Sequence, residues 1–102
     1  MVYEIIFTPE AKEDLLALRA HERKKVLEAI EIHLRYEPEK ISKSRIKRLE
    51  ALESPQHRLR IDEIRAFYDV IYITDSDSVE ILAVKEKAAA MRWLAEHGRR
   101  SE

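Results

Sequence analysis

Residues 58–68, "RLRIDEIRAFY", carry the strongest indication of the fold, because polar and apolar side chains alternate on both sides of an acidic pair. Alternation with a period of two is typical of a half-buried β-strand. Asp62 and Glu63 interrupt the alternation, and residues 64–73, "IRAFYDVIYI", continue with the β-branched and aromatic residues that strands favour. We therefore predict a β-hairpin whose loop is formed by Asp62 and Glu63.

The register of this hairpin determines where its three arginines lie. With a two-residue loop, Arg60 lies opposite Arg65 and Arg58 lies opposite Phe67, so all three guanidinium groups share one face. A four-residue loop keeps this arrangement, whereas a loop of odd length breaks it. The other face is apolar and consists of Leu59, Ile61, Ile64, Ala66 and Tyr68.

Three arginines on one face repel each other. Two unit charges about 5 Å apart repel by roughly 3 kcal/mol at an effective dielectric constant near 20, and solvent and salt reduce this at a surface. Asp69 has the same strand parity as Arg65 and is the internal carboxylate that could neutralise the face. Two interpretations stay open: a solvated face of ion pairs, which the hairpin alone favours, and a binding site for phosphate.

The composition indicates a small folded domain with a charged surface. The chain has 102 residues, of which 45% are hydrophobic and 38% charged, and its net charge is -1. This length suits one domain, residues 1–102, with a modest core. The absence of cysteine excludes disulfides and thiolate metal sites and fits a reducing cytoplasm. We see no membrane-spanning run and no signal peptide, so we expect a cytoplasmic protein with no membrane partner.

Charge is distributed unevenly along the chain. Residues 40–65 hold eight basic and four acidic side chains, a net charge of +4, whereas the flanking parts are acidic. An anionic partner is therefore expected to bind the middle third. A total charge near zero argues against strong non-specific binding of nucleic acid.

The chain before the hairpin predicts one strand and two helices. Residues 2–7 form a strand, and Thr8 then caps a helix that ends near Ala20. A second helix runs from about residue 21 to 36, and Pro38 limits it. Helices joined this closely are expected to form an antiparallel helical hairpin.

Further elements surround the arginine hairpin. We predict a strand that begins over residues 46–49 and a last strand over residues 79–84. Two turns are expected, one over residues 53–56 and one over residues 74–78. A helix is expected over residues 87–96, and it stops at Gly98. The predicted order is β-α-α-β-β-β-α. This order indicates an α+β fold in which an N-terminal strand, the helical hairpin and a three-stranded antiparallel meander build a mainly antiparallel sheet, followed by a C-terminal helix.

Several kinds of chemistry are excluded or disfavoured by the sequence. A single glycine rules out a glycine-rich phosphate loop. The four histidines lack the spacing of metal ligands, and no serine has an adjacent histidine for nucleophilic catalysis. We therefore expect no metal and no cofactor. His57 has the parity of Leu59 and is expected on the core side of its strand.

What remains is a cationic face that suits RNA. Arginine binds phosphate through a planar fork, and aromatic side chains stack on exposed bases, so such a face can position RNA and stabilise a pentavalent phosphate. A lone tryptophan among alanines and leucines is more often part of a core, and Tyr68 and Tyr72 share the apolar face. The candidate residues are Arg58, Arg60, Arg65, Lys47, Lys85, Lys87 and Trp93.

These residues resemble those of a known family. The segment "IKRLEALESPQHRLRIDEIRAFYDVIYI", followed by "VEILAVKEK", resembles the RelE/ParE superfamily of toxins from type II toxin–antitoxin modules. The resemblance covers nearly the whole chain, and its most specific part is "RLR…IRAFY", similar to the family's "yRlRvGdyRviY". It implies a RelE-like fold in a small cytoplasmic toxin. It also implies a cognate antitoxin that wraps around the toxin, and contact with operator DNA only through that antitoxin.

The resemblance also implies an activity. RelE-type members cleave mRNA on the ribosome, where a ribose 2′-hydroxyl attacks the neighbouring phosphate and leaves a 2′,3′-cyclic phosphate. By this resemblance the catalytic residues are Arg60, which orients or activates the 2′-hydroxyl, Arg65, which holds the phosphate, and Lys87, which assists the leaving oxygen. The residues expected to bind RNA are Lys47, Arg58, Lys85 and Trp93, with Trp93 stacking on a base.

The sequence departs from the RelE pattern at four positions. Arg60 is always protonated and is a poor general base. Lys87 stands where RelE has an arginine, Trp93 where it has a tyrosine, and Asp62 where the family has a glycine. Two alternatives therefore stay open: a ParE-like inhibitor of DNA gyrase that acts by protein–protein binding, and a RelE-fold binding module without toxicity.

Overall fold

The computed structural model describes residues 2–73 and 75–100, which form a five-stranded sheet, a small second sheet and three helices. The strand order in the large sheet is β1-β6-β5-β4-β2, with β1 parallel to β6 and the other neighbours antiparallel. This confirms the predicted α+β fold with a mainly antiparallel sheet. The elements are β1 (Glu4–Phe7), α1 (Pro9–Ala17), α2 (Ala20–Leu34), β2 (Ile46–Arg48), β3 (Leu52–Ser54), β4 (His57–Ile61), β5 (Ile64–Ile73), β6 (Ser76–Glu86), α3 (Lys87–His97) and β7 (Arg99–Arg100).

The arginine hairpin, β4–β5, has the predicted register. Arg60 pairs with Arg65 and Arg58 pairs with Phe67 across a two-residue loop. Asp62 in this loop has a φ angle of 51°, a left-handed conformation that aspartate tolerates better than most residues. Its carboxylate binds the ammonium of Lys25 on α2 at 3.0 Å, which ties the loop to the helix layer.

The first helix begins as predicted and ends earlier. The hydroxyl of Thr8 accepts a hydrogen bond from the backbone amide of Ala11 at 3.1 Å and so caps α1. The helix ends at Ala17, three residues before the predicted end. There the guanidinium of Arg23 donates to carbonyls including that of Leu15, at 2.9 Å, and satisfies acceptors that a helix C-terminus leaves free.

The main core lies between α1, α2 and one face of the large sheet. The predicted apolar face of the hairpin is buried there, and the hydroxyl of Tyr68 donates to the carbonyl of Pro38 at 2.6 Å. His57 is buried on this side as predicted and stacks on Tyr68, with ring centroids 5.2 Å apart. Burial, reinforced by the nearby charge of Arg48, lowers the pKa of His57. Tyr72, in contrast, is 59% exposed and its hydroxyl binds Glu39, so its expected place in the core was wrong.

The opposite face of the sheet is covered in part by α3. A second cluster of buried side chains, Phe67, Ala83, Ala90 and Trp93, joins this helix to β5 and β6. A β-bulge in β6 beside Phe67 and Tyr68 lets Phe67 pair with Ala83 and Tyr68 with Ile81. Because of this bulge, both clusters keep apolar partners on their own side of the sheet.

The structure confirms the strand predicted to begin over residues 46–49 and adds a small second sheet. β2 pairs with β4 as a fourth antiparallel strand beside the meander β4-β5-β6. The turn predicted over residues 53–56 is in part a strand, since β3 pairs with β7 in the small sheet. The turn predicted over residues 74–78 is shorter, because β6 begins at Ser76, and Thr74 lies outside the described residues. Within the described residues, no helix is both long and apolar enough to cross a membrane.

Candidate anion-binding site

Four basic side chains converge on the sheet face that also carries α3. Arg58 and Arg60 alternate along β4, Arg65 lies opposite Arg60 on β5, and Lys47 on β2 lies opposite Arg58. Directly paired residues and residues two apart on one strand point to the same side of a sheet. We call Lys47, Arg58, Arg60 and Arg65 the cationic cluster.

Arg65 is the most firmly held member of the cationic cluster. It is only 7% exposed, and its Nη1 donates to the carbonyls of Asp62 at 2.8 Å and Ile64 at 3.1 Å. These bonds come from its own hairpin, so the turn fixes the orientation of the guanidinium. A fixed planar fork is well suited to bind phosphate, because little side-chain entropy remains to be lost.

Arg58 is held under unfavourable conditions. It is half-buried, and its Nε is buried without a hydrogen-bond partner. Burial, followed by the charges of Arg65 and Arg60, lowers the pKa of Arg58. A buried donor without an acceptor and an uncompensated charge both cost free energy, and an anion in contact with Arg58 would relieve both.

The described residues give these arginines no ion-pair partner. Among residues 2–73 and 75–100, no carboxylate lies within 4.0 Å of the guanidinium nitrogens of Arg58, Arg60 or Arg65. Asp69, the carboxylate expected to neutralise them, accepts hydrogen bonds from the Ser54 hydroxyl at 2.6 Å and the Gln56 amide at 2.7 Å instead. The expected pairing of these arginines with Asp69 was therefore wrong. Asp62 acts on Arg60 only at longer range, so the cluster is open to an external anion.

Lys85 lies opposite Arg65 on β6 but is already paired. Its ammonium is 2.9 Å from Asp14 Oδ1 and 3.0 Å from Glu10 Oε2, both on α1. Burial alone would lower the pKa of Lys85, and the hydrogen bonds to Asp14 and Glu10 raise it instead. The structure therefore places Lys85 in a link between the sheet and α1, with its charge compensated, rather than as a free contact for RNA.

Trp93 is placed in the second cluster and not on an open surface. It is 8% exposed, and its indole lies between the rings of Phe67 and His97, with centroids 5.1 and 5.2 Å away and interplanar angles of 15° and 18°. Its Nε1 donates to Glu10 Oε2 at 2.8 Å. Since the indole is buried and already stacks on two rings, a base cannot stack on Trp93 unless Phe67 or His97 moves away.

Lys87 is exposed at the first position of α3. Its backbone amide donates to the carbonyl of Glu63 at 2.7 Å, so the helix begins beside the loop of the arginine hairpin. This contact brings Lys87 to the same end of the sheet as Arg60 and Arg65. The structure thus brings the four members of the cationic cluster together and places the backbone of Lys87 beside their hairpin loop, while Lys85 and Trp93 have internal partners.

Sequence reasoning missed Arg45, which precedes β2. Its carbonyl accepts a hydrogen bond from the amide of Arg60 at 2.8 Å, and the two residues line a common cavity of about 170 Å³ with Ser44 and Asp62. The only signal was the basic character of the loop over residues 40–48, and a loop has no periodicity that would give a direction to one side chain. Within the described part of the chain, no group of three or more histidine, aspartate or glutamate side chains could hold a metal ion.

Solved structures with this architecture define the class of protein. The RelBE2 toxin–antitoxin complex from Mycobacterium tuberculosis matches with a TM-score of 0.67 and 24% sequence identity, over 84% of this chain and 99% of that chain. The archaeal RelE–RelB complex from Pyrococcus horikoshii also matches with a TM-score of 0.67, at 25% identity, over 85% and 97% of the two chains. A YoeB/ParE toxin from Agrobacterium tumefaciens matches with a TM-score of 0.64 and 16% identity, over 81% and 97%.

These structures confirm the resemblance found in the sequence: the chain has the fold of RelE/ParE superfamily toxins. The matched structures are toxins of this superfamily, and two of them are complexes, one described as a toxin–antitoxin complex and one as RelE with RelB. No family model matches the sequence, and a search of curated proteins found no match.

Proposed function

We propose that the chain is the toxin of a type II toxin–antitoxin system and acts as a ribosome-dependent mRNA endoribonuclease. The observation that carries this proposal is the cationic cluster, whose three arginines have no carboxylate partner among the described residues. A phosphodiester supplies the missing negative charge, and the RelE/ParE toxin fold is the context in which such a cluster acts on RNA.

The cluster suggests a division of roles in the cleavage step. The ribose 2′-hydroxyl attacks the adjacent phosphorus, the bond to the 5′-oxygen of the next nucleotide breaks, and a 2′,3′-cyclic phosphate and a 5′-hydroxyl result. Arg65, fixed by its own hairpin, stabilises the charge that develops on the phosphoryl oxygens. Arg60 orients the 2′-hydroxyl and stays protonated, so the proton of the 2′-hydroxyl passes to solvent water as the oxygen attacks. Lys87 donates a proton to the leaving oxygen.

The remaining site residues support binding. Arg58 and Lys47 lie side by side on neighbouring strands and contact the phosphates that flank the cleaved bond. Lys85 and Trp93 act through the fold: they connect α1, β6 and α3, and so hold the sheet face and the start of α3 in position.

The proposed partners follow from the toxin role. A cognate antitoxin chain would cover the cationic cluster, and complexes of this kind are known for two of the matched structures. We propose that operator DNA is bound only through the antitoxin, that mRNA on the ribosome is the substrate, and that the protein acts in the cytoplasm.

The test is to map mRNA 5′ ends shortly after induction of the chain in cells. New 5′ ends within translated codons are expected for the parent and for Arg92→Gln, an exposed change on α3. Arg65→Gln and Lys87→Gln should lose these ends and the arrest of growth. If both variants cut and arrest growth as the parent does, the assigned roles are wrong.

A second candidate function is inhibition of DNA gyrase. It is favoured by the absence of a general base among the members of the cationic cluster, and by the YoeB/ParE toxin among the matched structures. DNA breaks with intact mRNA after induction would support it and would contradict nuclease activity. Unchanged mRNA ends with normal growth would leave a RelE-fold binding module without toxicity.

A further inference from the structure

The loop that carries Arg45 is fixed in place although it lies on the surface. The hydroxyl of Ser42 accepts hydrogen bonds from the backbone amides of Arg45 at 3.1 Å and Ile46 at 3.2 Å. The Arg45 carbonyl in turn accepts the bond from the Arg60 amide at 2.8 Å. The backbone at Arg45 is thereby joined to the strand that carries the cationic cluster.

Two cavities meet at this loop. The smaller, about 170 Å³, opens between Arg45, Arg60 and Asp62. The larger, about 330 Å³, lies between the loop and the C-terminal turns of α2, and Ser44 and Arg45 line both. Arg45 therefore lies between the cationic cluster on one side and the larger cavity on the other. The larger cavity is also lined by Ile32, His33, Glu37, Lys40, Ser42 and Ile46.

The charges around Arg45 favour an anion. The Asp62 carboxylate is bound by Lys25 at 3.0 Å, and the Glu37 carboxylate lies 3.7 Å from Lys40, so both already have cationic partners. Within residues 2–73 and 75–100, Arg45 has no carboxylate within 4.0 Å. After the larger effect of Lys25, the charges of Arg45 and Arg60 contribute to the lowered pKa of the Asp62 carboxyl, so Asp62 offsets part of their field. Three cations share this one carboxylate, and a net positive charge remains where the cationic cluster meets Arg45.

The larger cavity combines polar and apolar contacts of the kind that a nucleotide needs. Ile32 is 71% exposed at its rim and offers an apolar contact to a base, and the imidazole of His33 offers a ring for stacking. Burial, followed by the charge of Arg45, lowers the pKa of His33, which favours the neutral ring. Proteins recognise single-stranded RNA through unstacked bases, which stack on aromatic side chains of this kind.

We propose that Arg45 binds the next phosphate beyond those held by the cationic cluster, and that the larger cavity takes the adjoining base of a single-stranded RNA. This inference rests on the proposed function and extends its site by one nucleotide. It makes Arg45 a positioning residue for the substrate, not a member of the reacting group.

The test is the binding of RNA oligonucleotides that cannot be cleaved because every 2′-hydroxyl is methylated. Fluorescence anisotropy at several salt concentrations compares the parent with Arg45→Gln and with Lys24→Gln, which removes one positive charge from the exposed side of α2. For a hexanucleotide, Arg45→Gln should weaken binding several-fold and reduce the slope of log K against log salt by about 0.7. For a dinucleotide with one phosphodiester, Arg45→Gln should bind like the parent. Lys24→Gln should leave the affinity for both oligonucleotides, and the salt dependence of binding, as in the parent.

The base contact is tested separately. Ile32→Ala, an exposed change that leaves the core intact, should weaken binding of the hexanucleotide and have no effect when the base at the matching position is removed. If Ile32→Ala binds every oligonucleotide like the parent, the cavity does not take a base.

The outcomes distinguish this inference from the proposed function. If Arg65→Gln loses affinity while Arg45→Gln binds like Lys24→Gln, the second phosphate site is refuted and the proposed function stands. If Arg65→Gln also binds like the parent, the proposed function itself fails. If Arg45→Gln loses the same affinity for the dinucleotide as for the hexanucleotide, Arg45 makes no separate phosphate contact. Its role would then be to hold Arg60 in position.

Discussion

Replacement of Arg58 by methionine tests whether the cationic cluster destabilises the free protein. Methionine keeps a long apolar side chain and removes both the charge and the buried N–H group. We expect Arg58→Met to raise the free energy of unfolding, because Nε of Arg58 has no hydrogen-bond partner and the charges of Arg65 and Arg60 oppose its own. The same change should weaken binding of RNA, since one phosphate contact is lost.

The magnitude follows from two terms. A buried donor without an acceptor costs about 1–3 kcal/mol. Repulsion from one unit charge roughly 5 Å away reaches about 3 kcal/mol at an effective dielectric constant near 20. Arg58 is only half-buried, so solvent screens much of this repulsion, and some packing of the arginine stem is lost. The expected net gain is about 1–2 kcal/mol, which corresponds to a rise in Tm of roughly 5–10 °C for a domain of this size.

The assay is urea denaturation at neutral pH and low salt, followed through the fluorescence of Trp93, the one tryptophan of the chain. The midpoint should rise without a change in slope, and the gain should shrink in about 1 M salt, where the Debye length is near 3 Å. Arg92→Met, an exposed change on α3, is the matched control and should leave the midpoint unchanged. A midpoint for Arg58→Met at or below that of the parent would refute the reasoning, because the cluster would then carry no unrelieved repulsion.

Three further predictions concern the internal partners of the site. Lys85→Met should lower the free energy of unfolding by about 1–2 kcal/mol at pH 7, because Glu10 and Asp14 then face each other without a cation. The pKa of Glu10 is lowered in the folded parent, so the loss measured by calorimetry should shrink as the pH falls through that lowered pKa. The pKa of His57 is lowered in the folded protein, so its contribution to stability is complete above the ordinary pKa of 6.5 and is lost as the pH falls through the lowered pKa. His57→Phe should therefore reduce the drop in the urea midpoint between pH 7 and pH 5. A drop equal to that of the parent would contradict this. Trp93→Ala should lower the free energy of unfolding by about 3–5 kcal/mol, and Trp93→Phe should lower it by about 1 kcal/mol. The difference arises because phenylalanine keeps the ring stack on Phe67 and loses the hydrogen bond to Glu10. Equal stability of the two variants by circular dichroism would show that the indole is not part of the core.

The part of the fold that could be predicted from the sequence is the part with a periodic pattern. The register of the arginine hairpin follows from alternation with a period of two and an even loop, and α1 begins at Thr8 because a hydroxyl can cap the free amides. The small sheet of β3 and β7 could not be predicted. Its strands have three and two residues, too few for a pattern, and they pair only because α3 brings Arg99 and Arg100 beside Leu52 and Ser54.

The same distinction applies to the site. Strand parity places Arg58, Arg60 and Arg65 on one face, and the structure confirms this arrangement. Parity does not reveal which partner a side chain finds across the chain. Trp93 binds Glu10, which lies 83 residues away in the sequence, and only the packing of α1 and α3 brings them together. Asp69 shares the parity of the arginines, yet it lies far enough along β5 to bind Ser54 and Gln56 instead.

The parallel pairing of β1 with β6 has a consequence for the order of events during synthesis. β1 ends at Phe7, and its neighbour in the sheet begins only at Ser76. The hydroxyl of Thr8 likewise donates to the carbonyl of Leu82, which is synthesised 74 residues later. Contacts of such long sequence separation form slowly and late. A nascent chain on the ribosome therefore carries the arginine hairpin before it has a closed sheet, and the toxin fold is completed only once β6 has emerged.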